Sequence, residues 1–439
     1  MSKKWYKCYE LLQYLKMNQL SIHNQNLRYL IDNAPPESIK SIVDLDSIDT
    51  VLRQCLPLEQ MREAGSFFTG QMLATEAINS FERALTLNSR VLDPTCGAGN
   101  LLIECSRRLG VRDTLSETLE EWGEILWGFD IHESFIEATK LRLIIEALNR
   151  GVQKNCSIEQ ATSYFKNIKV MDALLVTKTD LKSITHVAMN PPFSIWKSPN
   201  KNYWKQGKIN AAGIVFDHFL RVLPKDCVVV AILPEVLRSG SRYSLFRNFC
   251  SINMSAKSIL WGRFNTKTDV DVFILSGIIM AEESQKSILW QEELGEYKAL
   301  SSKFNVCIGP LVAYRDIEIG NEYPYFHSKN TPGWEILEDI SETRKFQGKV
   351  ISPPFVIIKR TSSPGDRYRA TATIINLKSM VAVENHLIVI KPMSNSLRDC
   401  KKLLKTLKSD ATNEFLNKRI RLRHLTVQAI KDIPLDESF

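Results

Sequence analysis

Residues Asp93 to Asn100, Asp-Pro-Thr-Cys-Gly-Ala-Gly-Asn, constrain the fold of this chain more than any other stretch. They follow Arg90-Val91-Leu92, a short apolar run that reads as a strand ending in an acid. They precede Leu101-Leu102-Ile103, which opens a helix. Glycine at 97 and 99 lets the backbone turn sharply and approach a ligand closely. A strand, a Gly-bearing loop and a helix in that order form the βα unit of dinucleotide-type folds. A Lys-Ser or Lys-Thr pair does not follow, so the loop is not the phosphate cradle of a nucleoside triphosphatase.

The same pattern recurs downstream. Ile125 to Asp130 reads as a second strand ending in an acid, with His132 and Glu133 as ordinary helix-start charges. Ile168 to Leu175 reads as a third strand and its tip around Asp172, an acid that by itself serves equally well as a turn cap. Ile184 to Met189 reads as a fourth strand, delivering Asn190-Pro191-Pro192-Phe193 at its carboxyl end. Open α/β sheets bind ligands at that edge. The Asn190 side-chain oxygen and the Pro191 carbonyl are two acceptors on a loop stiffened by proline, which suits an amino group that must lose conjugation before it reacts. Phe193 offers a face for stacking. Ile214 to Leu223 (helix), Cys227 to Leu233 (strand) and Asp269 to Ile279 (strand) extend the same domain.

Before this region, Trp5, Tyr9, Leu12 and Leu15 recur at helical spacing, and a second amphipathic run spans Val51 to Met61. Residues 1–62 therefore read as a helical cap. Gly65-Ser66-Phe67-Phe68-Thr69-Gly70 precedes a further helix through Phe81, where the Thr69 hydroxyl is placed to cap free N–H groups or to hold a carboxylate. Residues 111–124 read as a solvated helix. Trp196 to Asn210 reads as a loop carrying Lys197, Lys201, Lys205 and Lys208 with Trp196, Tyr203 and Trp204, and no acid. Basic and aromatic interleaving of that kind suits nucleic acid.

The net charge of +8 is uneven: residues 301–439 hold 22 Lys and Arg against 15 Asp and Glu. A basic module attached to a neutral one favours phosphate partners. Strand-like pieces at Pro310 to Ala313, Phe355 to Lys359, Thr371 to Ile375 and Leu387 to Lys391 alternate there with turns. Arg360, Arg367 and Arg369 crowd one region, and Ser396 to Leu416 reads as one basic helix. The nine Cys form no C-x-x-C pair, which argues against a zinc site or a disulfide framework. No apolar run approaches the roughly 20 residues of a membrane span, and the N-terminus lacks a secretory core, so a cytoplasmic protein is expected.

The order of these motifs resembles the S-adenosylmethionine-dependent N6-adenine DNA methyltransferases of restriction-modification type, with cofactor motifs first and a target-recognition domain last. The resemblance implies a doubly wound, Rossmann-like α/β catalytic domain over 63–290 and a mixed, strand-rich DNA-recognition domain over 300–439. It implies S-adenosylmethionine held by Phe68, Thr69, Asp93, Pro94, Thr95, Gly97, Gly99, Asp130, Asp172 and Asn190. Within that set Thr69 meets the methionine end, Asp130 the ribose and Asp172 the adenine amine. It implies catalysis at Asn190, Pro191, Pro192 and Phe193, with Phe264 as a second aromatic, and no metal. Gly70 stands where many members have Pro, and Phe193 where many have Tyr. Methyl transfer to N6 of an adenine flipped out of double-stranded DNA is the expected reaction, with Lys197, Tyr203, Trp204, Lys205, Arg360, Arg367 and Arg369 on the DNA. Residues His424 to Leu435 are similar to the ends of target-recognition domains in type I specificity subunits. A separate restriction endonuclease or specificity subunit is a partner the resemblance allows without requiring it, and the oligomeric state stays open. Three alternatives are kept: a cytosine N4 DNA methyltransferase, a glutamine N5-methyltransferase acting on protein, and a DNA-binding subunit without turnover.

Overall fold

A computed structural model describes residues 20–33, 44–46, 69–265, 268–280, 288–291 and 296–435. The chain divides into two compact units that meet in sequence between Trp290 and Gln291, with residues 239–241 counted with the second.

The first unit is built on a seven-stranded sheet of order β3-β2-β1-β4-β7-β9-β8. Its elements run α1 (Gln71–Asn79), β1 (Val91–Asp93), α2 (Asn100–Ser106), α3 (Leu115–Ile125), β2 (Leu126–Asp130), α4 (Glu133–Asn149), α5 (Ile158–Ser163) and β3 (Ile168–Val170). They continue through β4 (His186–Met189), β5 (Ile195–Lys197), β6 (Lys208–Asn210), α6 (Ala211–Val222), β7 (Val228–Pro234), α7 (Glu235–Ser239), α8 (Ser244–Asn253), β8 (Met254–Asn265) and β9 (Thr268–Ile279). Strands β3, β2, β1, β4 and β7 are mutually parallel, and β9 and β8 close the sheet antiparallel. This is a doubly wound α/β fold. All seven residues of β7 are buried, as a continuous apolar run in a strand covered on both faces should be. The strand order reverses between β1 and β4, which puts the ends of β1, β2 and β4 around one crevice.

Helix α3 is not a solvated helix. Leu115, Leu119, Trp122 and Ile125 recur at three- and four-residue steps and are buried, so its acids occupy only the outer face. Of the N-terminal cap, residues 20–33 are helical and dock on α4: Asn24 Nδ2 donates to Ser134 O (2.9 Å), and Arg28 pairs with Glu137 (2.9 Å). The expected helices at Trp5 to Leu15 and Val51 to Met61 lie outside the described residues.

The second unit holds a five-stranded sheet of order β10-β17-β14-β15-β12 and a three-stranded one of order β13-β11-β16. The strands are β10 (Phe304–Ile308), β11 (Asn321–Phe326), β12 (Ile336–Leu337), β13 (Thr343–Phe346), β14 (Phe355–Lys359), β15 (Ala372–Ile375), β16 (Ala382–Val383) and β17 (Leu387–Pro392). Pro310 to Ala313 is not a strand: Leu311 makes an isolated bridge to Glu384, and the ladder is formed by Phe304–Ile308 instead. The single basic helix is two, α9 (Leu397–Leu407) and α10 (Asp410–Arg419), because the Ser409 hydroxyl caps a new N-terminus at Thr412 N (3.2 Å). Cys400, Leu403 and Leu407 of α9 face the sheet, which turns Lys401, Lys405 and Lys408 to solvent. Helix α11 (Val427–Lys431) follows.

Candidate active site

Each acid of the expected series stands at or beside a strand end. Asp93 closes β1 and Asp130 closes β2, whereas Asp172 lies two residues beyond β3 and Asn190 directly after β4. With Thr69, Pro94, Thr95 and Gly97 they line one cleft, together with Ile131, Phe135, Met171, Leu174 and Trp196. Phe68 lies outside the described residues.

The floor of the cleft is the glycine loop. Gly97 and Gly99 adopt left-handed φ values of 52° and 84°. A Cβ at Gly99 would stand 2.7 Å from the Thr139 Cγ2, so both conformation and space require glycine there. Gly99 is thus a backbone pivot closed over by α4, with Thr139 Oγ1 donating to Gly97 O at 2.8 Å.

Asp130 accepts from the backbone of Gly97 (3.1 Å) and His132 (2.9 Å), which ties the second strand end to the glycine loop. Asp93 is 2% exposed and accepts from Thr95 N at 3.1 Å. Burial pushes its pKa up to about 8, helped by the neighbouring Asp130 charge. Burial also raises Asp130, against the opposing pull of its backbone donors. A buried carboxylate beside a half-buried one, whose charge disfavours its ionisation, makes a site for a cationic ligand. Asp172 lines the cleft while its Oδ1 accepts from Leu174 N (2.9 Å), so it is a turn cap and a cleft acid at once.

Thr69 does not cap α1, whose N-cap is Gly70. Its hydroxyl accepts instead from Asn190 Nδ2 at 3.0 Å, a link across 121 residues. An amide whose nitrogen is committed to that hydroxyl presents its oxygen on the opposite side, as an acceptor. Asn210 secures the following loop: its Nδ2 donates to Phe193 O (3.1 Å) and its Oδ1 caps α6 at Ala212 N (3.0 Å). Phe193 and Phe264 are buried and meet edge to face, with ring centroids 5.5 Å apart. They pack on one another, so a base passes between them only when the rings part.

The Trp196 to Asn210 segment is not a plain loop. Strands β5 and β6 pair antiparallel, and Ser198 N donates to Gly207 O (2.8 Å) to close the hairpin. Tyr203 and Trp204, expected on DNA, instead anchor it. The Tyr203 hydroxyl donates to Asp217, which also holds Arg221 through two bonds (2.9 and 3.1 Å). Trp204 is 7% exposed and stacks on Phe246. Their rings pin the hairpin to α6 and α8, and this leaves Lys197, Lys201, Lys205 and Lys208 exposed.

In the second unit, Arg369 is likewise misassigned by its charge. It is 1% exposed and donates to Ser362 Oγ (3.0 Å), Asn417 Oδ1 (2.7 Å), Ile420 O (3.0 Å) and Leu422 O (2.8 Å), so it holds the chain after α10 in place. Arg360 is half-buried and Arg367 is exposed. Arg367 lies over the Tyr368 ring (5.3 Å), Tyr368 meets Trp334 edge to face (5.1 Å), and Lys408 lies over Trp334 (5.4 Å). Trp334 holds a left-handed φ of 71°, costly for a bulky side chain. Sequence reading missed it; an isolated Trp after Pro332-Gly333 was the available signal.

Residues 50–228 match the family model of the N-6 DNA methylases. The match covers about two fifths of the chain. The chain is a methyltransferase, and S-adenosylmethionine is its methyl donor. No curated protein matches it. Among solved structures it is similar to the type IIG restriction endonuclease BpuSI at 13% identity and a TM-score of 0.43, covering 100% of this chain and 72% of that one. It is also similar to the type IIL restriction-modification enzyme MmeI (11%, TM-score 0.49, 87% and 69%). A modification subunit of a type I restriction enzyme from Vibrio vulnificus gives 14% and 0.40, covering 58% of this chain and 51% of that subunit. The cleft is chemically compatible with such a donor: it offers acidic side chains, apolar walls at Ile131, Phe135, Met171 and Leu174, and a glycine-bearing floor. No helix among the described residues is long and apolar enough to cross a membrane.

Proposed function

We propose that this chain is a site-specific DNA methyltransferase that modifies N6 of an adenine flipped out of double-stranded DNA, in the cytoplasm, as the modification component of a restriction-modification or related defence system. The observation that carries the reading is Asn190-Pro191-Pro192-Phe193 at the carboxyl end of β4, on the rim of the acidic cleft and inside the segment that matches N-6 DNA methylases. S-adenosylmethionine supplies an electrophilic methyl group when bound. Asp93, Asp130, Asp172, Thr69, Pro94, Thr95, Gly97 and Gly99 are the residues that would hold it.

The chain's own task is the acceptor. Adenine N6 is a weak nucleophile because its lone pair is delocalised into the ring. Asn190 Oδ1 and the Pro191 carbonyl each accept one N6 hydrogen, which favours a tetrahedral nitrogen and stabilises its developing positive charge. Thr69 holds Asn190 in the orientation this needs. The two prolines keep both acceptors from reorganising. Phe193 supplies the stacking face once it separates from Phe264. Lys197 and Lys205 of the hairpin, and Arg360 and Arg367 of the second unit, carry phosphate contacts.

The test is transfer of labelled methyl from S-adenosylmethionine to plasmid DNA by wild type and Asn190→Ala, with modified bases mapped at single-nucleotide resolution. N6-methyladenine in one short motif, lost in the variant, is the expected result. N4-methylcytosine, or label on protein glutamine and none on DNA, would overturn it.

A further inference from the structure

We propose that Arg142 is a positioning residue that couples the donor-binding loop to the acceptor side chain Asn190. The proposal rests on the reading of Asn190 given above.

Arg142 sits on α4 and is 1% exposed. Its Nη1 donates to Ala98 O in the glycine loop (2.5 Å) and to Asn100 Oδ1 (2.7 Å). Asn100, 3% exposed, donates through Nδ2 to Thr69 O (2.7 Å) and to Leu45 O (2.8 Å). Thr69, 2% exposed, accepts from Asn190 Nδ2 through its hydroxyl (3.0 Å). One buried line of hydrogen bonds therefore joins α4, the donor loop, the start of α1 and the end of β4.

The line has a direction. A guanidinium only donates, so Asn100 must turn its oxygen to Arg142 and its nitrogen to Thr69. Neither Arg142 nor the carbonyls of Ala98, Thr69 and Leu45 can reverse role, so the Asn100 amide has one orientation. The Thr69 backbone is thereby set, and with it the hydroxyl that receives Asn190. Thr139, one turn earlier on α4, holds Gly97 O at 2.8 Å, so a single helix face grips two consecutive carbonyls of the donor loop.

Burying this cation is costly. Desolvation pushes its pKa down to about 9, with Arg107 adding to the strain and Asp44 and Glu146 opposing it. A hydrophobic side chain would pack there at lower cost if packing were the only need. What a hydrophobic residue cannot do is hold Ala98 O and Asn100 Oδ1 together. Anything that tightens the glycine loop then also tightens Asn190.

The experiment measures kcat for labelled methyl transfer to plasmid DNA and the Kd for S-adenosylmethionine by calorimetry, on the full chain. Thr69→Val cuts the last link: kcat at saturating donor should fall about 10- to 100-fold, beyond any change in Kd, and Thr69→Ser should restore it. Arg142→Met cuts the first link and should both weaken donor binding and lower kcat. Where Arg142→Met does not fold, Arg142→Lys, which keeps the charge on a side chain too short to reach the position of Nη1, takes its place. In the double variant the two kcat losses should be less than multiplicative, because they break one line. Wild-type kcat in Thr69→Val, or multiplicative losses, would overturn the coupling alone. A wild-type chain that transfers no methyl to DNA would overturn the reading of Asn190, and the coupling with it.

Discussion

Asp93 gives the sharpest quantitative expectation. Its folded-state pKa is about 8, against an ordinary value of 3.8. Between those values the folded chain holds a proton that the unfolded chain releases, so stability is full below about pH 4 and declines as pH rises towards 8. One proton corresponds to at most about 1.4 kcal/mol per pH unit, so from pH 5 to pH 7 this residue alone removes at most about 3 kcal/mol. Asp130 is raised for the same reason and adds a contribution of the same sign. Asp93→Asn keeps the shape and removes the titration. Its denaturant-unfolding free energy, measured without ligand at half-unit steps from pH 5 to 8, should fall less steeply than that of wild type. The gap between the two curves should widen in the variant's favour as pH rises. Parallel curves would refute the argument that burial and Asp130 hold Asp93 protonated. A cationic donor in the cleft reverses the preference, so S-adenosylmethionine binding to wild type should release protons near pH 7, seen as a buffer-dependent binding enthalpy that Asp93→Asn lowers.

Three further expectations follow from exposure. Lys197→Gln with Lys205→Gln should reduce the slope of log DNA affinity against log salt by about 2, whereas Tyr203→Phe should leave that slope alone; an unchanged slope in the lysine pair would remove the hairpin from the DNA surface. Arg369→Met leaves the carbonyls of Ile420 and Leu422 without their donor, a cost of about 1–3 kcal/mol each. Denaturant unfolding should report that loss, and a variant of wild-type stability with weak DNA binding would return Arg369 to the DNA. Trp334→Ala should weaken DNA binding by about 1–3 kcal/mol if the Arg367–Tyr368–Trp334–Lys408 cluster stacks on the nucleic acid; filter binding at fixed salt with wild-type affinity would show the cluster to be internal packing.

What was legible in the sequence is what a strand end makes local. Asp93, Asp130 and Asn190 each follow an apolar run directly, and a parallel sheet carries such ends to one edge without further information. The helix-to-strand alternation sufficed for the same reason. Orientation of a side chain was not legible where it depends on an element far away in sequence. Tyr203 and Trp204 look like a stacking platform until α6 and α8 are set behind them. Arg369 looks like a phosphate contact until the carbonyls after α10 close around it. In both cases local composition records the residue type, while burial is decided by partners 14 to 53 positions away.

The same limit explains why the partner of the Thr69 hydroxyl was not legible. A hydroxyl one residue before Gly70 and a helix is a sound local cap, and nothing nearby contradicts it. Its actual partner, Asn190, is 121 residues away, and its backbone is held by Asn100, 31 residues away. The cap at Gly70 is then left to other groups, among them Asp46 Oδ1, which lies 3.3 Å from Gln71 N. A local rule is broken at the point where three separate strand and helix ends must share one geometry. Departures of this kind mark positions where the requirements of the site have overridden local preference. Thr69 is such a position by geometry alone, because its polar partners among the described residues, Asn100 and Asn190, both belong to the cleft wall.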